Sequence, residues 1–129
     1  MIGRQGTAAV ELALMLPVLL LTLLAGADLA RATLLRAEGE QATRAIARFA
    51  AGQAVLPGPS LALAQVPALA DDPEAVHLHL TERLDGGHRW VTIQAELGYR
   101  PLTPFLERLL DGPLWLRFSA VERSPNAHP

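Results

Sequence analysis

From Leu12 to Ala27 the chain carries no charge and is rich in leucine, and a carboxylate, Glu11, stands at the mouth of that run. The junction limits what the chain can fold into. Half of the 129 residues are hydrophobic, but much of that apolar content lies near the N-terminus. As a helix, Leu12 to Ala27 spans roughly 24 Å, short of a hydrocarbon core of about 30 Å. Including Thr7 to Glu11 extends it to roughly 31 Å, enough to cross if Glu11 lies near the interface or is paired. An acidic side chain at the centre of a membrane helix costs about 2.5 to 3.5 kcal/mol. A residue that costly needs a partner or a role.

Pro17 lies inside the run. In a water-soluble helix it would cost about 3 kcal/mol, whereas membrane helices accommodate proline with a kink. Arg4 and the amino terminus on the short side predict a cytoplasmic N-terminus. The rest of the chain then lies outside the cytoplasmic (inner) membrane, behind a single pass. A rival reading takes Ala25-Gly26-Ala27 as a signal-peptidase site and Asp28 as the start of an exported soluble domain. Against it stand Glu11, placed where a signal peptide shows positive charge, and a helical pattern that continues past residue 27. A third reading is a plain bitopic anchor with an external interaction domain.

Other function classes find little support. A net charge of −2 argues against binding nucleic acid through phosphate neutralisation. Without cysteine there is no disulfide scaffold and no thiolate metal site. No nucleophile motif, phosphate-binding glycine loop or paired-acid spacing is present, so no enzymatic activity and no cofactor are expected. His77 and His79 share one strand face and His88 could lie nearby, but no third ligand is firmly placed, so a solvated face is the preferred reading. Asp71-Asp72-Pro73-Glu74 reads as an acidic turn, with calcium binding only a thin alternative.

Beyond the run, Leu35, Gly39, Ala42, Ile46 and Phe49 recur in four- and three-residue steps, a helical seam. Arg31, Arg36, Glu40, Arg44 and Arg48 lie off it, and Glu40 with Arg44 forms a favourable i, i+4 pair. One continuous helix from about Thr7 to Ala51 is predicted. Its seam packs on the protein's own sheet or, alternatively, on another subunit. Residues 52–75, with Pro57, Pro59 and Pro67, read as a linker with one helical turn after Ser60. Val76, Leu78 and Leu80 alternate with polar residues, as do Val91 to Tyr99, around an Asp85-Gly86-Gly87 turn, which predicts a hairpin. Thr103-Pro104 is expected to cap a short helix, Phe105 to Leu110, ended by Gly112. Leu114 to Ala120 is a third strand. Ser124 to Pro129 is expected to be disordered. The predicted fold is α+β: a long N-terminal membrane-spanning helix that continues as an amphipathic helix packed on a small three-stranded antiparallel sheet.

The stretch Gly6-Thr-Ala-Ala-Val-Glu11, followed by an apolar helix, resembles the class III signal of type IV pilins and pseudopilins. Extended through Leu12-Ala-Leu-Met-Leu-Pro17, with Gly26-Ala-Asp28 and Arg31 behind, it resembles more narrowly the TadE-like family, minor pseudopilin-like proteins of tight-adherence (Flp) pilus systems. Tyr99 to Pro104 and Leu116 to Arg123 resemble that family's closing strands more loosely. Leu12 departs from the phenylalanine of many relatives. The resemblance implies that a membrane prepilin peptidase cuts after Gly6 and makes Thr7 the new N-terminus. Glycine, with no Cβ, suits a narrow protease subsite. It further implies that Glu11 neutralises the freed ammonium of a neighbouring subunit's Thr7. The implied organisation is a cleaved leader (1–6), a transmembrane helix (7–27), an amphipathic helix (28–51), a linker (52–75), an extracytoplasmic β-rich domain (76–123) and a tail (124–129). The implied partners are the prepilin peptidase, other pilin or pseudopilin subunits, inner-membrane platform proteins and the lipid bilayer.

Overall fold

A computed structural model describes residues 3–70 and 75–125. Its first element, helix α1, runs from Arg4 to Gly52, roughly 74 Å of continuous helix. The helix passes through Pro17 without interruption. Over residues 7–27 it is exposed at every position except Leu24, which is half-buried. That stretch is long and apolar enough to cross a membrane, with a mean hydropathy of 2.3 over its most apolar window and none of that window buried.

The second half of α1 behaves differently. Gly39, Ala42, Thr43, Ile46, Ala47, Ala50 and Ala51 are buried, and Leu35 and Phe49 are half-buried. The seam packs against the protein's own sheet, on β2 and β3. Small residues let the helix approach closely, and Ile46 fills the centre. Fully burying one such side chain stabilises by about 1.5 to 3 kcal/mol. Arg36, Glu40 and Arg44 line the solvent side, with Arg36–Glu40 at 3.5 Å and Arg44–Glu40 at 3.8 Å. All three are exposed, so the pairs contribute only a few tenths of a kcal/mol each.

Residues 59–70 form two short helices, α2 (Pro59–Leu63) and α3 (Pro67–Ala70). Each opens on a proline, whose missing N–H costs nothing in a first turn. Ala62 and Leu69 are buried in the same core as Ile46, and α2 packs on β1.

Strands β1 (Val76–Asp85), β2 (His88–Tyr99) and β3 (Leu114–Arg123) form one antiparallel sheet in sequence order. Asp85 pairs with His88 across Gly86 and Gly87, both at positive φ (58° and 79°). A two-residue turn of that kind demands such angles, and glycine adopts them without strain. The register Leu78–Ala95–Phe118 and Leu80–Ile93–Ala120 places every second residue on the α1 side. Strand β3 runs three residues past the predicted Ala120. Ser124 follows it, buried, with its N–H bonded to the Arg89 carbonyl at 2.8 Å, so the expected disordered tail does not begin there. Residues 126–129 lie outside the described residues.

Arg89 joins the hairpin to the end of α1. Its Nη1 donates to the Gln53 carbonyl at 2.5 Å and its Nε to Glu82 Oε2 at 2.8 Å. A cation beside the last carbonyls of a helix is favoured by the helix dipole.

Candidate functional site

Gly6, Thr7 and Glu11 all lie in the first turns of α1. The Gly6 N–H donates to the Gly3 carbonyl at 2.9 Å, so the Gly6–Thr7 peptide is already helical. A glycine there loosens the turn by about 0.5 to 1 kcal/mol relative to alanine, which eases the unwinding that any protease requires. Thr7 and Glu11 are exposed and four residues apart, so they stand one above the other on one helix face. Among the described residues Glu11 makes no ion pair and no side-chain hydrogen bond. Pro17 is likewise exposed within the apolar stretch.

The residue with the densest set of partners is Asp28, which follows the apolar run directly. It is buried, and its carboxylate accepts four hydrogen bonds from the other end of the chain. The Tyr99 hydroxyl and the Leu102 N–H each donate to Oδ1 at 2.7 Å. The Thr103 N–H donates to Oδ2 at 2.8 Å, and the Thr103 hydroxyl donates to the same oxygen. The local sequence explains the fit. Pro101 and Pro104 have no N–H, so Leu102 and Thr103 hold the only backbone donors between them, and both point at one carboxylate. The Arg31 guanidinium lies 5.7 Å from the centre of the Tyr99 ring, a cation–π contact on the next turn of the helix.

Burial alone would raise the Asp28 carboxyl, but its hydrogen bonds, from the Thr103 hydroxyl, Leu102, Tyr99 and the Thr103 N–H, outweigh burial and hold it well below its ordinary 3.8. Tyr99 moves the other way, raised above 10.0 by burial, by its bond to Asp28 and by the Asp28 charge, with Arg31 opposing. A lowered carboxyl stabilises fully above its unfolded value, and that stabilisation fades as pH falls toward the folded value. A raised phenol stabilises fully below its unfolded value, and that stabilisation fades as pH rises through the folded one. The clamp therefore holds on a plateau between 3.8 and 10.0. Asp28→Asn should lower the urea midpoint of the detergent-solubilised protein by a constant amount between about pH 5 and 9, and the deficit should shrink in acid below the carboxyl's ordinary value. A deficit that persists undiminished into strong acid would show that the carboxylate charge is not what holds the loop.

This clamp corrects one expectation. Thr103 does not cap the short helix; its N–H and hydroxyl are committed to Asp28. Helix α4 is shorter than predicted, Leu106–Leu109, and Phe105 takes the capping position at a φ of 70°. Asp111 and Gly112, both at positive φ, end it, as predicted for Gly112. Sequence reasoning noted Asp28 only as part of a motif. Its available signal was an acid at the exit of an apolar run, matched by a Pro-x-x-Pro loop with two free donors.

The histidines do not converge. His88 pairs with Asp85 at the hairpin turn, six residues along β1 from His79, or roughly 20 Å. His77 instead stacks on Trp115 with ring centres 5.0 Å apart. Among the described residues no three metal-ligating side chains gather. The acidic stretch Asp71 to Glu74 lies outside the described residues.

The model of the TadE-like protein family matches residues 6–48. Over those residues the chain is similar to the TadE-like family. The match begins at Gly6, crosses the exposed apolar stretch, takes in Asp28 and Arg31, and ends within the docked seam of α1. The sheet that closes on the TadE-like helix lies beyond it. No curated protein and no solved structure matches the chain at a significant level. A TadE-like domain on an apolar N-terminal helix is consistent with a membrane protein associated with the Tad pilus.

Proposed function

We propose that the chain is a membrane-anchored, minor pseudopilin-like subunit that serves assembly of a Flp/Tad-type pilus or a related secretion apparatus. It is a substrate of a prepilin peptidase, cut after Gly6, and has no enzymatic activity of its own. One observation carries the reading: the TadE-like match starts at Gly6 and continues through an apolar, solvent-exposed helix. Cleavage leaves Thr7 with a free ammonium at the head of α1. Glu11, without a partner among the described residues, is then available to the ammonium of an adjacent subunit. In low dielectric such a pair is strong, and a wrong register leaves a charge unmatched. The pair thus selects register when pilin or pseudopilin subunits are added at the inner-membrane platform proteins.

The runner-up, release of a soluble domain after Ala27, is disfavoured by the course of α1. The helix passes through Ala27 and Asp28 without a break. N-terminal sequencing of the membrane-extracted protein tests the choice. Thr7 is the expected first residue; Asp28 would mark an exported domain, and Met1 a plain bitopic anchor. Gly6→Val should abolish processing, because the added side chain cannot enter a subsite shaped for glycine. Wild type should show a mass decrease of the six-residue leader when co-expressed with the peptidase. The same decrease in Gly6→Val would rule the site out.

A further inference from the structure

The loop between β2 and β3 exposes more apolar surface than its size warrants. Leu102, Phe105, Leu109 and Leu110 are 51, 71, 81 and 44% exposed, and among the described residues no element covers them. Phe105 holds an uncommon left-handed backbone, φ 70°, and still presents its ring outward. We infer that this loop, with helix α4, lies in the outer headgroup region of the same bilayer that α1 crosses, as a second and shallower membrane contact. The inference rests on the reading of α1 as a membrane anchor.

The clamp fixes the height of the loop. Asp28 follows the last residue of the apolar run, and an exposed helix of residues 7–27 matches a hydrocarbon core of about 30 Å. Asp28 therefore sits at the hydrocarbon boundary. The Leu102 N–H lies 2.7 Å from its carboxylate, which places the loop backbone at the same level. Phe105 is three residues further, at most about 10 Å away. The headgroup region is about 5 to 8 Å thick on each side, so Phe105 is within reach of it. The surroundings suit that depth. Trp115, exposed beside the loop, is a residue type that settles at membrane interfaces. Arg100 and Arg108 offer donors to lipid phosphates, while Glu107 and Asp111 leave the loop without net charge. Leu24, one turn before Asp28, is half-buried, alone among residues 7–27. The same stretch of α1 that enters the bilayer thus begins to be shielded just below the loop.

The absence of cysteine permits a direct test. Single-cysteine variants Phe105→Cys and Leu109→Cys are spin-labelled in the full chain in phospholipid nanodiscs. Their accessibility to oxygen and to a water-soluble nickel chelate is compared with Leu19→Cys in the span and Ser119→Cys on the exposed sheet face. Positions 105 and 109 should favour oxygen and report a depth of about 5 to 10 Å into the headgroup–acyl boundary, between the two references. If both match Ser119 while Leu19 is deep, the second contact is overturned and the anchor stands. If Leu19 itself is open to the chelate, the anchor reading fails and the inference goes with it. Protection from both reagents would place a protein over the loop instead and overturn the proposal.

Discussion

Gly39→Ala is expected to destabilise the protein by about 1 to 3 kcal/mol, against the usual sign for such a change. In a helix interior, replacing glycine with alanine ordinarily gains about 0.5 to 1 kcal/mol. At Gly39 a Cβ would lie 2.5 Å from two ring carbons of Phe118 and 3.0 Å from Leu97 Cδ1. Both neighbours belong to the core that α1 shares with the sheet. Either the buried Phe118 ring must shift within that core or the helix must lift from the sheet along its docked seam. Gly52 is the control, because a Cβ there meets nothing within 4 Å; Gly52→Ala should be neutral or mildly stabilising. Denaturant unfolding followed by the fluorescence of Trp90 and Trp115 reads both variants. Adding Phe118→Leu to Gly39→Ala should recover part of the loss, and the double-mutant cycle isolates the contact. A Gly39→Ala protein as stable as wild type would show that α1 does not pack this closely.

The second large effect concerns assembly. Glu11→Ala should leave membrane insertion intact, since it removes a charge from an apolar segment and makes insertion easier. Incorporation into a pilus or pseudopilus should nevertheless fall. Removing one member of an ion pair in low dielectric costs about 3 to 5 kcal/mol, which corresponds to roughly two to three and a half orders of magnitude in the docking equilibrium at about 1.4 kcal/mol per decade. Glu11→Gln should fail similarly, because the amide accepts a hydrogen bond but does not neutralise the Thr7 ammonium. The readouts are the amount of pilus sheared from cells and crosslinking between neighbouring subunits, each set against the amount of variant in the membrane. Normal piliation in Glu11→Ala would remove the electrostatic basis of the proposal, whatever the N-terminus proves to be.

The two experiments address different layers of the protein. Gly39 tests how the domain closes on its own helix. Glu11 tests what the exposed part of that helix does afterwards. A stable Glu11→Ala protein that inserts and does not assemble would separate the two.

Much of this architecture could be read from residue order alone. The apolar run, its continuation as a helix with a Leu35–Gly39–Ala42–Ile46–Phe49 seam, and the alternation of Val91 to Tyr99 are periodic signals, and periodicity survives in one dimension. The turn at Gly86-Gly87 was equally plain, because the backbone there needs angles that glycine supplies. The motif from Gly6 to Pro17 pointed to the TadE-like family through a local pattern, for the same reason. What only the tertiary structure decided were pairings between distant segments. Asp28 meets Tyr99, Leu102 and Thr103 across more than seventy residues, and a carboxylate at the end of an apolar run carries no mark of which backbone will satisfy it. Thr103-Pro104 looked like a helix cap because both residues suit one; the loop instead gave its donors to a buried charge, whose unmet need is costlier than an uncapped turn. His77 and His79 share a strand face, but whether His88 lay near them was settled only by the register, which sets His88 at the far end of the hairpin. Local periodicity is written in the order of residues, whereas the partner of a buried polar group is settled only when the chain folds back on itself.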